Sequence, residues 1–232
     1  MTDQSQKAGA GPDLGVVYRE SRERLSDLLR NTDAKAVPVP ACPRWSAHDV
    51  VSHLVAIIED AMASRLTGPP TDEHTAEQVS RRCDRETDGL LDEWADLAPA
   101  FEAVLAEMPI WPAALDVLSH EQDVRGALGK PGARDIEGIT AGAAWLVENL
   151  TVPVRLMVHL DDRAIRRGPD EDGQKDQSPA DLELRTTAFE TLRWRLGRRS
   201  RMQLEALDWR GDPTPVLDQL AVFGPTPVDI IE

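Results

Sequence analysis

Residues 115–129 read LDVLSHEQDVRGALG, and the rest of the chain can be arranged around this stretch. It is predicted to be a helix of about four turns, because Gly129 is a typical helix-ending residue and a proline follows two residues later. Side chains three and four positions apart share one face of a helix. Asp116 and His120 therefore lie together with the apolar side chains of Val117, Val124 and Ala127. An acid and an imidazole buried on such a face need partners, and a divalent metal is one candidate.

Composition restricts the class of protein. A chain of 232 residues suits one large domain or two small ones, and 41% hydrophobic residues supply a sizeable core. The formal net charge of −15 argues against a nucleic-acid partner, because phosphate binding needs a positive surface. No apolar run approaches the ~18 residues of a membrane span, and the first residues lack a secretory signal. Cys42 and Cys83 form no CxxC pair, so we expect reduced thiols in a soluble cytoplasmic protein.

Residues 13–150 are predicted to form a helical bundle after a disordered leader at residues 1–12. Ser46 is a good N-cap, and Asp49 completes a capping-box pattern three residues later. Pro99 is expected to kink its helix without ending it, whereas Pro109 and Pro112 bracket the turn before the opening stretch. The periodicity of apolar residues predicts helices over 13–31, 46–66, 71–83, 84–108, 115–129 and 136–150.

Residues 151–232 change in character and predict a small α+β domain. Alternating and β-branched residues indicate strands over 152–160 and 181–186. The charged, polar stretch 168–179 is predicted to be a loop, and residues 208–212 a turn. Helices are predicted over 188–196, 200–207 and 215–223. The fold class that follows is mainly α with a small α+β part.

Three side chains are the leading candidates for a site. His53 lies on an inward face of the second helix, and Asp116 and His120 lie on the opening helix. Two ligands four residues apart, joined by one from a facing helix, suit capture of a divalent ion in a bundle core. Three protein ligands leave a position open for water or substrate. The alternative is an ordinary ion pair between Asp116 and His120, with His53 a hydrogen-bonded core residue.

Other polar residues have less specific patterns. Asp123 lies within a turn of His120, so it either orients that imidazole, pairs with Arg125 or another arginine, or is a helix-surface acid. His48 is expected to be an exposed residue at a helix start. His74 and His159 have no partners that the sequence identifies. Cys42 and Cys83 lack any feature that lowers a thiol pKa, so both are interpreted as non-catalytic.

Three segments resemble one known family. Residues 45–54, WSAHDVVSHL, resemble the signature W-S-x-x-D-V-x-x-H-L of the mycothiol-dependent maleylpyruvate isomerase family, whose members are DinB-like metal-binding bundles. Residues 120–129, HEQDVRGALG, resemble the family segment H-x-x-D-x-x-x-A-L-G. The C-terminal LGRRS at 196–200, with Asp208-Trp209 and FGP at 223–225, looks like the tail of the same actinobacterial family. The resemblance covers nearly the whole chain from about residue 15.

The resemblance implies a DinB-like four-helix bundle that holds one divalent metal, usually zinc, through two histidines and a carboxylate. By position these are His53, His120 and Asp116, although the isomerase type carries Glu where this chain has Asp116. A small C-terminal α+β domain and mycothiol as co-substrate are also implied. The family draws an arginine from its C-terminal domain to bind the substrate anion. Arg198 and Arg199 are the candidates, and helix-end charges that offset the helix dipole are the alternative.

Two functions follow as hypotheses. The first is a metal-dependent, mycothiol-dependent isomerase or transferase that acts on a small electrophilic molecule. The second is a non-catalytic metal- or ligand-binding bundle protein. The sequence specifies neither the substrate nor the oligomeric state.

Overall fold

Four long helices form the bundle in the computed structural model, which describes residues 11–66, 68, 71–169 and 180–232. They are α1 (Leu14–Leu29), α2 (Ala47–Met62), α4 (Thr87–Glu107) and α5 (Trp111–Leu128). Helices α1 and α2 each pack against both α4 and α5, which closes the bundle. Its core is built from the apolar face of each helix, with Tyr18, Leu54, Trp94 and Leu118 among the fully buried side chains.

Local signals fix where these helices begin and end. The capping box predicted at Ser46 and Asp49 is present at the start of α2. Helix α4 continues through Pro99, as expected. Helix α5 begins at Trp111, so the prediction that Pro112 lies in the preceding turn was wrong. Proline is tolerated in the first turn of a helix, where its missing N–H would have no partner in any case.

Two further helices surround the bundle. Helix α3 (Asp72–Ser80) packs on α2, and α6 (Glu137–Glu148) packs on α5. A short three-ten turn at Ala34–Ala36 lies in the proline-rich connection between α1 and α2. The helices predicted over 71–83 and 136–150 are therefore confirmed, with shorter ends.

The described C-terminal residues form a four-stranded sheet with three short helices. The strands are β1 (Leu156–Leu160), β2 (Arg163–Arg167), β3 (Leu182–Thr186) and β4 (Asp208–Arg210), in the order β2-β1-β3-β4. Strand β1 is antiparallel to β2 and parallel to β3, and β3 is antiparallel to β4. The helices are α7 (Ala188–Arg195), α8 (Arg201–Glu205) and α9 (Leu217–Leu220).

Two of the four strands correct the prediction. No strand was predicted over Arg163–Arg167, because this edge strand is rich in arginine and none of its residues is buried. Residues 208–212 were predicted to be a turn, but Asp208–Arg210 pair with β3. Both are edge strands defined by backbone hydrogen bonds to one neighbour. Amino-acid composition is a poor predictor of such strands, because their side chains need not be apolar.

The predicted fold class, mainly α with a small α+β part, is confirmed. Part of the C-terminal region completes the bundle core, through Leu160, Leu192 and Ile230 among others. A second apolar cluster lies between the sheet and its helices. The domain boundary at residue 150 stays a prediction. Leader residues 1–10 and most of the predicted loop, residues 170–179, lie outside the described residues.

Among the described residues, no helix combines the length and the apolar character needed to cross a bilayer.

Candidate metal site and its cleft

Helices α2 and α5 bring together the three candidate ligands. Nε2 of His53 lies 3.6 Å from Oδ2 of Asp116, and Nε2 of His120 lies 3.5 Å from Oδ1 of the same carboxylate. Both imidazoles are buried, whereas the Asp116 side chain is 31% exposed. One ligand atom from each residue lies within 4.8 Å of the others. The trio therefore presents two nitrogens and an oxygen at the surface of a cleft.

The proton on His53 is fixed by a buried amide. The Nδ1 atom of His53 lies 2.9 Å from Oε1 of Gln78, whose Nε2 donates to Oδ2 of Asp60 at 2.7 Å. Because the amide nitrogen is used by Asp60, the amide oxygen faces His53, and Nδ1 must donate. The Nε2 lone pair of His53 is then free and faces Asp116. Such partners of a histidine are what set its tautomer in metal sites.

Asp60 anchors this arrangement from a fully buried position. It receives hydrogen bonds from Arg65, Arg81 and His74 as well as from Gln78. Burial raises the pKa of Asp60, but these four donors outweigh it and hold the pKa well below its ordinary value. Asp60 is therefore a carboxylate, which accepts hydrogen bonds only.

A second carboxylate fixes the proton on His120. Nδ1 of His120 lies 3.1 Å from Oδ2 of Asp123, so Nδ1 donates and Nε2 faces Asp116. Asp123 is fully buried and also pairs with Arg193 and Arg198, at 2.8 Å each. Burial raises the pKa of Asp123, but the two arginines and His120 hold it well below its ordinary value. Of the alternatives for Asp123, the geometry places it against His120 and two arginines, while Arg125 pairs with Glu121.

Asp116 is also held in its charged form. Burial raises the pKa of Asp116, but contact with His53 and the charges of His53, His120 and Arg198 lower the net pKa below its ordinary value. A charged carboxylate is the form that a metal requires of such a ligand, and the Nδ1 contacts of the two histidines leave both Nε2 atoms facing it.

The loop before α2 covers the two histidines. The Trp45 ring lies 5.1 Å from the His53 ring and 6.0 Å from the His120 ring, measured between centroids. The adjoining cleft has a volume of about 780 Å³. Its walls combine this loop, the outer face of α3 and the three candidate ligands, together with Arg198 and Phe223. The cleft is large enough for a small organic ligand and leads directly to Asp116.

Arg198 reaches the cleft because α7 ends in a left-handed turn. Gly197 has φ +76°, and a Cβ there would lie 2.6 Å from the backbone oxygen of Gly224. The Gly197 and Arg198 amides donate back to Trp194 and Arg193, which is the Schellman arrangement. Arg198 then donates from Nη2 to Oδ2 of Asp123 at 2.8 Å. Burial lowers the pKa of Arg198, but Asp123 more than offsets this, so the guanidinium stays charged.

Arg199, the other predicted anion-binding residue, points away from the site. Its guanidinium makes two hydrogen bonds to Glu190, at 2.6 and 2.7 Å. It does not line the cleft that contains the three candidate ligands.

Cys42 lies beside the site, which the sequence did not indicate. Its Sγ lies 3.3 Å from Oδ2 of Asp123 and 3.8 Å from Nδ1 of His120. Burial raises the pKa of the Cys42 thiol well above its ordinary value, and Asp123 raises it further. Cys42 therefore lies there as a neutral thiol that donates to Asp123. No motif marks this residue, since it comes from a loop 81 positions from Asp123.

The remaining histidines lie outside the trio. His48 was expected to be exposed, and this was wrong: it is buried, with Nδ1 3.1 Å from the Thr87 hydroxyl and Nε2 3.2 Å from the Arg82 carbonyl. Those partners belong to segments that the sequence cannot place beside α2. His74 contacts Asp60, and His159 lies 3.5 Å from Glu183 on the neighbouring strand.

The fold and the site together define a helical-bundle protein with a candidate metal centre of two histidines and one carboxylate. Residues 18–129 match the family described as the mycothiol maleylpyruvate isomerase N-terminal domain. This segment holds His53, Asp116 and His120, and its match confirms the family resemblance over residues 18–129.

Solved structures give a weaker likeness. Those of the mycothiol-dependent maleylpyruvate isomerase and of one of its mutants each have 15% sequence identity and a TM-score of 0.48. Each alignment covers 80% of this chain and 88% of the other. No curated protein matches the sequence.

Proposed function

We propose that this protein is a metal-dependent enzyme that uses mycothiol to isomerise or conjugate a small electrophilic molecule. The observation that carries the proposal is the direction of the two imidazoles. Gln78 and Asp123 each accept the Nδ1 proton of one histidine, so both Nε2 lone pairs face the Asp116 carboxylate. Core histidines that only needed partners would be satisfied by their Nδ1 bonds alone.

The spacing of these atoms fits a zinc ion. Two zinc bonds of about 2.0–2.1 Å at a tetrahedral angle separate their ligand atoms by roughly 3.3 Å. The distances from Asp116 to the two Nε2 atoms are 3.6 and 3.5 Å. These distances are close to that value, which supports Asp116 as a ligand despite its shorter side chain. His53, Asp116 and His120 would hold the ion, and the 780 Å³ cleft would supply the open position.

The metal ion and the protein side chains would contribute different parts of the reaction. A bound divalent metal would lower the pKa of a thiol and make it a nucleophile at neutral pH. The protein directs both Nε2 atoms toward Asp116, keeps Asp116 charged and covers the imidazoles with Trp45. Of the two arginines predicted to bind a substrate anion, Arg198 lines the cleft and Arg199 does not. We therefore assign Arg198 this role, beside the Asp123 carboxylate that positions it.

The proposed reaction balances without an oxidant or reductant. The mycothiol sulfur forms a bond to one carbon of an electron-poor double bond, and the π pair moves to the substrate's carbonyl group. Rotation about the resulting single bond is possible, and expulsion of the sulfur re-forms the double bond in the other geometry. If the carbon is protonated instead, the thiol stays on the product and the reaction is a transfer. The location we propose is the cytoplasm.

Metal analysis of purified protein is the first test. We expect stoichiometric divalent metal in the wild type and loss of it in His53→Ala and His120→Ala. His159→Ala is the matched control, since it removes an imidazole from β1 that does not line the cleft. A wild type that binds no metal when refilled with zinc, or histidine variants that retain it, would contradict the proposal.

Thiol chemistry is the second test. With mycothiol present, the metal-loaded protein should either isomerise activated cis-alkenes without net loss of thiol or consume mycothiol to form a thioether, and His53→Ala should do neither. A metal-loaded protein that is inert to mycothiol with every electrophile tried would favour a non-catalytic metal-binding protein.

A further inference from the structure

A second cavity lies behind the candidate metal site. Its volume is about 290 Å³, and its walls are mostly apolar, with Leu115, Trp145, Leu146 and Val222 among them. It shares three lining residues, Asp116, Arg198 and Phe223, with the cleft. The two cavities therefore meet at the carboxylate of the candidate metal site. We refer to the second cavity as the rear chamber.

Two buried polar side chains line the rear chamber. Among the described residues, one lacks a hydrogen-bond partner and the other lacks a carboxylate partner. Ser119, one turn beyond Asp116 on the same face of α5, is 3% exposed. Its hydroxyl has no hydrogen-bond partner among the described residues. Arg195 is 5% exposed and donates only to backbone oxygens, those of Leu146, Leu220 and Gln219. Buried polar atoms without partners are uncommon in native structures and mark positions where something else binds.

The charge of Arg195 is the stronger of these signals. Arg193, Arg198 and Arg199 each pair with a carboxylate, but in the described part of the chain no carboxylate lies within ion-pair distance of Arg195. Burial lowers the pKa of Arg195 to about 10, which leaves the guanidinium charged at neutral pH. A buried cation without a counter-ion is costly, and an anionic ligand would remove much of that cost.

We infer that the rear chamber is the subsite for the electrophilic co-substrate, and that this co-substrate is an organic acid with an apolar body. That the ligand is a co-substrate rests on the proposed function, whereas its binding in the rear chamber does not. The apolar walls would hold the carbon body, and Arg195 and Ser119 would hold the acid group together with Arg198, which lines both the chamber and the cleft. An apolar cavity of about 150 Å³ takes benzene, so 290 Å³ accommodates a phenyl ring with a short acid chain.

Calorimetry with a model acid tests the inference on the metal-loaded full chain without thiol. The probe is 3-phenylpropionate, and its two comparators are 3-phenylpropan-1-ol, which lacks the charge, and succinate, which lacks the apolar body. We expect 3-phenylpropionate to bind with a Kd of about 1 mM or tighter. The alcohol should bind roughly tenfold more weakly, because a hydrogen bond to a charged group is lost. Succinate should bind more weakly than either.

Two variants test whether 3-phenylpropionate binds in the rear chamber. Val222 is 53% exposed, so Val222→Asp should fold normally, place a carboxylate on the chamber wall and compete with the acid for Arg195. It should weaken binding of 3-phenylpropionate about tenfold and that of the alcohol much less. Val228→Asp is the matched control, because Val228 is 61% exposed and does not line the chamber. Ser119→Leu, which fills the chamber, should also prevent binding, with folding checked by thermal unfolding.

Each outcome has a definite meaning. Absence of measurable binding by 3-phenylpropionate, or binding unchanged in both Val222→Asp and Ser119→Leu, would overturn the inference. Metal content is measured in the same samples. Acid binding in protein that holds no metal would support the rear chamber and contradict the proposed function. Metal retention without acid binding would contradict the rear chamber alone.

Discussion

Nδ1 of His120 lies 3.1 Å from a carboxylate oxygen of Asp123, three residues further along α5. This contact determines which nitrogen of His120 is free. Because the Asp123 carboxylate can only accept, the proton of His120 is held on Nδ1, and the Nε2 lone pair faces Asp116. Asp123 is itself fixed by Arg193 and Arg198. The orientation of one candidate ligand thus depends on two arginines from α7 and the turn that follows it.

Asp123→Asn should weaken metal binding by about 10–100-fold, the usual cost of losing a partner of a ligating histidine. In either orientation, an amide NH₂ would face a donor, His120 or an arginine. The free energy of unfolding should also fall by about 3–5 kcal/mol, since two buried arginines lose a counter-ion. Competition with a chelator and urea unfolding of the metal-free protein measure the two effects.

Glu121→Gln is the matched control for that substitution. Glu121 is also a fully buried carboxylate on α5 that pairs with two arginines, Arg24 and Arg125. It does not contact the candidate ligands, so its loss should lower stability and leave metal affinity unchanged. Equal losses of metal affinity in both variants would show that Asp123 acts only through stability.

Gln78→Met tests the corresponding contact at His53. Methionine has a similar length but cannot accept the Nδ1 proton or donate to Asp60. We expect metal affinity to fall by about 10–100-fold and stability by about 1–3 kcal/mol. Gln122→Met is the control, since this buried amide on α5 donates only to backbone oxygens of Gly132 and Ala133. An unchanged metal affinity in Gln78→Met would contradict the assigned tautomer of His53.

Asp60 should make the protein sensitive to acid. Its folded-state pKa lies below the ordinary value of about 3.9, so its carboxylate stabilises the fold above that pH. The contribution is lost as the pH falls toward the lower, folded-state pKa. Asp60→Asn should therefore be less stable than the wild type at pH 7, and the difference should narrow below about pH 4. Urea unfolding of both proteins across this range measures it, and a constant difference would contradict the low pKa.

The helical bundle was predictable because its signals are local. The period of apolar residues marks each helix, Ser46 and Asp49 mark the start of α2, and Gly129 marks the end of α5. The same period places Asp116 beside His120. Two of the three segments that carry the family resemblance contain His53 and His120.

What the sequence could not predict depends on contacts between distant segments. The buried position of His48 follows from Thr87 and the Arg82 carbonyl, 39 and 34 residues away. Cys42 and Arg198 approach Asp123 only because a loop and the end of α7 meet there. Strand β2 has no alternating pattern, since its side chains at the sheet edge do not need to be apolar. In each of these cases the neighbours determine the environment, and their positions are not encoded nearby.

Gly197→Ala should be more destabilising than Gly129→Ala. Both glycines have positive φ, +76° and +61°, but an added Cβ meets the Gly224 oxygen at 2.6 Å in the first and nothing within 4 Å in the second. We expect Gly129→Ala to cost about 1–2 kcal/mol from backbone strain alone. Gly197→Ala should cost more and also weaken 3-phenylpropionate binding, because the turn carries Arg198 and abuts the loop that carries Phe223. Equal unfolding free energies would contradict the close approach at Gly197.

Asp116→Glu tests whether the spacing of this site is suited to the shorter acid. Both imidazole nitrogens already lie 3.5–3.6 Å from the Asp116 oxygens, close to the roughly 3.3 Å expected of two zinc ligands. An extra methylene would carry the carboxylate past that position, so we expect Asp116→Glu to retain metal with lower affinity. Asp116→Ala should lose it, and Asp116→Asn should fall between the two because it keeps an oxygen without the charge. Chelator competition ranks the four proteins, and tighter binding by Asp116→Glu than by wild type would show that aspartate is too short to ligate the ion well.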